Sequence, residues 1–363
     1  MAESARCAII SRADGDAFAG PTTGFGWEID DLDTPSGAAV DELLFNEGLL
    51  RLMVRGGARA GAPVTVTSTP TRTYPRLAIE ARTRAATDTG ARLDVAYDSI
   101  AAVLRVTGTI AVGDSARLST SYRHPGDAYR AALCEQLAAR GIRVTGTAIA
   151  PRAQTRAKSR PATAARGGSP AAAEDTLVVL ESAPLREVLP RMQKPSQNQL
   201  AEILFRTAGL VASGHGGADS ARAVAARTIA TWGITPEHMA YRDGSGLSRH
   251  DYVSPRAIVR VLDAMHRSPW STLYRQSLPL AGVDGTIANR LRNTPAAGNA
   301  NAKTGTVDKA RSLSGYVTSA DGRVLLFSML ANNFTVPNRE VERVQDLLVS
   351  SLAGMLVAGR PAK

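Results

Sequence analysis

Two short stretches bring together residue types that can move protons and hold charge. Ser196-Gln197-Asn198 stands immediately before a segment with helical spacing, and Lys303-Thr304-Gly305-Thr306 stands just before a strand hairpin. A serine hydroxyl both donates and accepts a proton, a primary amide can hold two groups at once, and a lysine ammonium is a fixed positive charge. Threonine hydroxyls add contacts, a backbone N–H can face a developing oxyanion, and a glycine leaves a strand edge open to a second chain. Singly the stretches carry little weight. At background residue usage a Ser-x-Asn arises roughly once in a chain this long, and a Lys-Thr-Gly about once in ten such chains.

A nucleophile paired with its base is harder to find. No Ser-x-x-Lys occurs anywhere in the 363 residues. Ser245 lies in the box Asp243-Gly-Ser-Gly-Leu247, yet Asp243 and Leu247 stand where a Gly-x-Ser-x-Gly elbow needs glycine. The box therefore reads as a structural turn, with Asp243 pinning a loop that borders a cleft. The histidines at 124, 215, 238, 250 and 266 lack the i, i+4 pairing of a zinc protease, so neither a metal nor another cofactor is expected. Cys7 and Cys134 are too few for a disulfide-dense scaffold or a four-cysteine site, and they leave the redox compartment open.

The elements that must position these residues fall into two grammars. Up to about Gly146 the pattern is short, β-branched apolar runs between turn residues: Cys7 to Ile10, Val64 to Val66, Leu77 to Ile79, Leu93 to Ala96 and Val103 to Val112. One helix interrupts them, Asp127 to Arg140, with Tyr129, Leu133, Leu137 and Ala138 on one side and Gly141 as its stop. After residue 173 the spacing turns helical over Ser182 to Leu189, Asn198 to Gly214, Ala218 to Trp232 and Pro255 to Arg267, the last opened by Ser254 as N-cap. Ser312 to Ser319 and Arg323 to Ala331 then read as strands joined at Asp321-Gly322, and Val341 to Leu356 closes as an amphipathic helix. Helices, then an antiparallel sheet, then a terminal helix predict an α+β domain, with the earlier strand-rich block inserted in it or accessory to it.

Composition sets the outer bounds. Hydrophobic residues at 44% against 21% charged residues describe a chain that folds, and 363 residues suggest two domains. The net charge of +10 raises the question of nucleic acid, but Arg152, Arg156, Lys158, Arg160 and Arg166 supply half of it within Pro151 to Ala173. That stretch has no acidic residue and no periodicity, which predicts an exposed, mobile linker, and no nucleic-acid motif accompanies it. No 18-residue apolar run predicts a transmembrane segment, and Met1 to Arg6 lacks the features of a signal peptide.

Seven blocks, in order, carry a resemblance: Lys194-Pro-Ser-Gln-Asn-Gln-Leu-Ala-Glu202, Asp243-Gly-Ser-Gly-Leu-Ser-Arg249, Leu278-Pro-Leu-Ala-Gly-Val-Asp-Gly-Thr286, Thr294-Pro-Ala-Ala-Gly298, Ala302-Lys-Thr-Gly-Thr306, Leu313-Ser-Gly-Tyr-Val317 and Ala331-Asn-Asn333. Together they resemble the penicillin-binding protein 4 type of D-alanyl-D-alanine carboxypeptidase and endopeptidase, peptidase family S13, along essentially the whole chain. The resemblance implies a penicillin-binding or β-lactamase-like catalytic domain carrying a β-rich insert. In such enzymes a serine hydroxyl attacks an amide and a lysine moves its proton. It also implies that Ser196 relays a proton to the departing amine while Asn198 holds the relay lysine and the substrate peptide group. Lys303 would then dock the substrate carboxylate, with Thr304, Gly305, Thr306 and Asp243 bordering the substrate.

The same resemblance implies peptidoglycan stem peptides as substrate, β-lactams as inhibitors and a periplasmic or envelope location. Gln197 departs from the family's aspartate at the middle of Ser-x-Asn. The family's Ser-x-x-Lys lies upstream of the block with which this chain opens, where Asp14-Gly-Asp-Ala-Phe18, Trp27 and Asn46 resemble the boundary of the insert. The expected plan is a catalytic-domain remnant over residues 1–20, the β-rich insert over 21–150, a basic linker over 151–173 and the catalytic domain over 174–363, with the N-terminal catalytic segment missing.

Overall fold

The computed structural model describes residues 17–69, 74–85, 91–142 and 181–357. The basic stretch from Pro151 to Ala173, Asp14, Cys7 and the expected strand at Cys7 to Ile10 lie outside them.

Strands dominate the first half because apolar and polar residues alternate with period two. Strand β1 (Leu49–Arg55) sits between β2 (Thr65–Thr69) and β7 (Ser115–Ser121), antiparallel to both. A second sheet gathers around β6 (Val103–Ala111), which pairs in parallel with β3 (Arg76–Ile79) and β4 (Arg82–Arg84) and antiparallel with β5 (Arg92–Asp98). In β6, Leu104 and Val106 point inward and meet Leu50, Leu52 and Val54 of β1 in a single apolar core. Helix α1 (Pro125–Ala138) closes this half, with Gly141 just beyond it at φ +77°. It buries Ala128 and Ala132, whereas Leu133 is 38% exposed. The expected apolar face is thus rotated: the small residues are the buried ones, Ala128 joining the apolar core, and the larger ones stand at the margin. Strands β1, β4 and β7 were not read from the sequence, because Arg51, Arg55 and the Ser and Thr of β7 blur the apolar runs.

The second half is helical and then sheet-like. Helices α2 (Leu185–Gln193), α3 (Asn198–Ser213) and α4 (Ala218–Ala230) are followed by the two-residue strands β8 (Met239–Ala240) and β9 (Tyr252–Val253). Helices α5 (Pro255–Arg267) and α6 (Ser271–Ser277) come next, then β10 (Asn301–Val307), β11 (Ala310–Thr318), β12 (Val324–Asn332) and α7 (Asn338–Gly354). Ser254 caps α5 as expected, its Oγ accepting from Ala257 N at 3.2 Å. The three long strands form an antiparallel meander. Lys303-Thr304-Gly305 lies inside its first strand rather than ahead of a hairpin. Leu313 and Val317 of β11 turn to one face, where they pack with Val349 and Ala353 of α7, while Tyr316 turns to the other against Leu262 of α5 and Leu278. The sheet is therefore covered on both faces, the arrangement that an amphipathic terminal helix requires. Among the described residues no helix is long and apolar enough to cross a membrane.

Residues 17–48 join the halves. Leu32 O and Asp33 O accept the hydroxyls of Ser121 (2.5 Å) and Thr120 (2.8 Å). Pro21 O accepts Arg206 Nη2 at 2.8 Å, and Ala39 O accepts the buried Gln199 amide. This stretch precedes the strand-rich block in sequence, yet its polar contacts run to α3 as well as to β7.

Candidate active site

The turn between α2 and α3 presents Ser196. Gln197 N donates to Met192 O at 2.8 Å, and Ser196 takes φ +62°, a left-handed conformation uncommon for a serine. Gln197 is the N-cap of α3: its Oε1 accepts from Leu200 N at 2.6 Å, satisfying one of the helix's unpaired N–H groups. Sequence reading gave this position no task. A side-chain oxygen able to cap is what an aspartate and a glutamine share.

Across from this turn, β10 carries Lys303 to within 2.7 Å of Ser196, Nζ donating to Oγ, and the same ammonium donates to Thr304 O at 2.8 Å. Burial lowers the Lys303 pKa to about 8, so the group stays mostly cationic at neutral pH but close to release. A cavity of about 280 Å³ lies between the elements, lined by Ser196 to Asn198, Gly244 to Leu247 and Lys303 to Val307. Among the described residues β10 pairs along its length only with β11, apart from one bridge between Leu280 and Asn301, so its other edge borders the cavity.

Most of the expected site residues converge here, with three differences in detail. Asn198 lines the cavity, and its Nδ2 donates to Ser36 O at 3.0 Å; the relay lysine that it was expected to hold is not among these 363 residues. Gly305 lines the cavity too, yet a Cβ there would meet Ser312 Oγ at 2.3 Å, so the glycine also makes room for its neighbour on β11. Asp243 does not face the cavity. It is 5% exposed and spends both oxygens on the loop, accepting from Gly246 N, Ser248 N and Trp27 Nε1, each at 2.8 Å. It reaches the cleft only through the loop that it pins, as the reading of the box anticipated. Ser245 is part of that turn, its hydroxyl accepting from Leu247 N at 3.4 Å.

Two carboxylates that the sequence did not single out complete the loop's support. Glu202, 1% exposed on α3, accepts from Gly244 N at 2.9 Å and Ser245 N at 2.8 Å, and Asp251 accepts from Arg242 N at 2.6 Å. Burial, and then the charge of Asp243, push both carboxyls above their ordinary range. No spacing rule could have found them, since Glu202 lies more than forty residues from the amides it holds.

The arrangement is one that can hold a carboxylate beside a lysine and pass a proton through a hydroxyl. A model of the D-Ala-D-Ala carboxypeptidase 3 (S13) family matches residues 9–354. The chain belongs to that family.

Two curated relatives illustrate the extent of the likeness. The chain is 36% identical over 194 residues to a D-alanyl-D-alanine carboxypeptidase of Actinomadura sp. (strain R39), covering 52% of this chain and 36% of that protein. It is 33% identical over 162 residues to the D-alanyl-D-alanine carboxypeptidase DacB of Haemophilus influenzae, covering 44% of this chain and 34% of that one. The matched region thus spans about a third of the length of these relatives. Penicillin binding protein 4 (dacB) from Haemophilus influenzae superposes with a TM-score of 0.73 at 23% identity, over 94% of this chain and 74% of that one. The same protein complexed with a β-lactam superposes with a TM-score of 0.66 at 24% identity, over 89% and 71%. These likenesses establish the α+β, penicillin-binding fold.

Proposed function

We propose that the chain supplies the docking and proton-relay half of a serine-type D-Ala-D-Ala carboxypeptidase acting on peptidoglycan stem peptides in the cell envelope. The observation that carries this reading is the 2.7 Å contact between Lys303 Nζ and Ser196 Oγ beside an open strand edge. A stem peptide would lie along β10 as an added strand, its terminal carboxylate against Lys303 and the hydroxyls of Thr304 and Thr306. A serine from a Ser-x-x-Lys pair attacks the penultimate D-Ala carbonyl and becomes an ester. The carbon–nitrogen bond breaks, the departing D-Ala amine takes a proton through Ser196, and water then hydrolyses the ester. The N–H of Thr306 would form half of the oxyanion hole. Residues 21–150 would be the inserted domain and 174–363 the catalytic one.

A second reading is a peptidoglycan-binding homologue without catalysis, which would use the same docking groove and need no Ser-x-x-Lys pair. Labelling with fluorescent penicillin followed by mass spectrometry separates the two. The chain as it stands should form no adduct, and joining the upstream Ser-x-x-Lys segment in frame should restore stoichiometric labelling. No labelling after that joining would favour the binding protein. Labelling of the present chain would mean that one of its own serines is the nucleophile.

A further inference from the structure

The segment from Pro279 to Thr286 does not line the cavity, yet its polar atoms reach residues beside both of its walls. Asp284 divides its carboxylate: Oδ2 accepts the Lys194 ammonium, and Oδ1 accepts Leu280 N at 2.9 Å. Lys194 caps the end of α2 and stands two residues before Ser196. Its backbone is held as well, because Thr286 N donates to Lys194 O at 3.1 Å. Gly285 makes this approach possible. Its φ is +62°, and a Cβ there would come within 2.7 Å of Lys194 O. On the opposite wall Thr304 Oγ1, which lines the cavity, donates to Thr286 Oγ1 at 2.8 Å.

We propose that Asp284 and Thr286 are positioning residues of the cleft: Asp284, through Lys194, sets the turn that presents Ser196, and Thr286 sets the hydroxyl of Thr304. The Lys194 and Asp284 side chains are 28% and 37% exposed, so water screens their charges and the pair acts chiefly through geometry. Thr286 acts through a hydrogen-bond exchange. Thr304 gives its only hydroxyl hydrogen to Thr286. When a carboxylate arrives, Thr286 can donate in turn, which frees the Thr304 hydrogen for the ligand. A valine at 286 could do neither. The Asp284 half stands on geometry alone, while the Thr286 half rests on the docking reading given above.

The two halves are tested separately. Backbone amide exchange followed by NMR needs no ligand. In Asp284→Ala and in the milder Lys194→Met, the amides of Gln197 and Leu200 should exchange at least tenfold faster while Leu313 in β11 is unchanged. The double variant should add nothing to either, because the two side chains act as one unit. Unchanged exchange at Gln197 and Leu200 in Lys194→Met, or equal acceleration at Leu313, would overturn the brace. For Thr286, the measurement is the preference for N-acetyl-D-Ala-D-Ala over its C-terminal amide. Thr286→Val should cut that preference at least fivefold and Thr286→Ser should keep it, whereas an unaltered preference in Thr286→Val removes Thr286 from the site. If the unsubstituted chain binds neither ligand, the docking reading and its Thr286 half fail together, and the exchange experiment still decides the Asp284 half.

Discussion

The two halves of the molecule bury different kinds of polar group. Among the described residues both halves bury short hydroxyls, Thr83, Thr120 and Ser121 in the strand-rich one and Ser248, Ser277 and Ser319 in the helix-and-sheet one, but the latter alone adds the larger Gln199, Glu202, Arg206, Asp243 and Gln345. Burying charge is costly unless every lone pair and proton finds a partner. The strand-rich half avoids the cost by alternation. The other half accepts it around α3 and the loop at 243–248, where carboxylates replace regular secondary structure as the acceptors of backbone N–H groups. A core that only has to be stable needs no such groups, whereas a wall that must hold an irregular loop against a cavity does.

The largest expected effect breaks this contrast most openly. Asp243→Ala would leave Gly246 N, Ser248 N and Trp27 Nε1 without their acceptor, and should cost about 3 kcal/mol or more in denaturant unfolding. The matched change in the other half, Thr83→Val, removes one acceptor from Gly57 N and should cost about 1 kcal/mol. Equal costs would mean that the two halves use buried polar groups alike.

Lys303 sharpens the same comparison, because a site residue can be a stability liability. Its folded pKa of about 8 lies below the ordinary lysine value of 10.5, so the unfolded chain binds the proton more tightly. The penalty is therefore full below pH 8 and fades as pH rises from about 8 towards 10.5. Lys303→Met should stabilise the protein at pH 7 by up to about 3 kcal/mol, with the gain vanishing by about pH 10.5. Thermal or denaturant unfolding of both proteins across pH 6 to 11 measures it. A gain that persists unchanged to high pH would point to packing instead.

The smallest effect concerns the cap. Gln197→Ala should cost about 1 kcal/mol, and Gln197→Asp should stay within about 0.5 kcal/mol of the starting chain, since aspartate is itself a good N-cap. If Gln197→Asp lost as much as the alanine variant, the capping account of Gln197 would be wrong.

Legibility followed a different divide, between local signals and contacts remote in sequence. Helix α5 and its Ser254 cap, the β11–β12 hairpin and the strand at Leu93 to Ala96 were readable because their signals are local: a period, a cap, a Gly in a turn. Ser196 and Lys303 were readable as motifs, and the structure places them in contact although 107 residues separate them. Glu202, Asp284 and Thr286 were not readable as functional, because each acts on backbone or side chains remote in sequence, and Asp251 reaches Arg242 N nine residues away through an irregular loop that has no period to read. The face of α1 differs from the expected one because apolar size is a poor guide to burial there: Ala128 and Ala132 are buried, and the larger Leu133 is not. The cap at Gln197 was not legible because glutamine is not among the usual N-cap residues, and only the helix that begins beside it shows the role.

The central claim is that Lys303 and its neighbours dock a terminal carboxylate. It is tested most directly by calorimetric titration of the intact chain with N-acetyl-D-Ala-D-Ala and with the corresponding C-terminal amide, at pH 7 and at pH 9.5. The account predicts that the free carboxylate binds at least tenfold more tightly than the amide at pH 7. Lys303→Met should abolish this preference, and deprotonation of a lysine with a pKa of about 8 should collapse it at pH 9.5. Equal binding of the two ligands at pH 7, or a preference that survives in Lys303→Met, would contradict it.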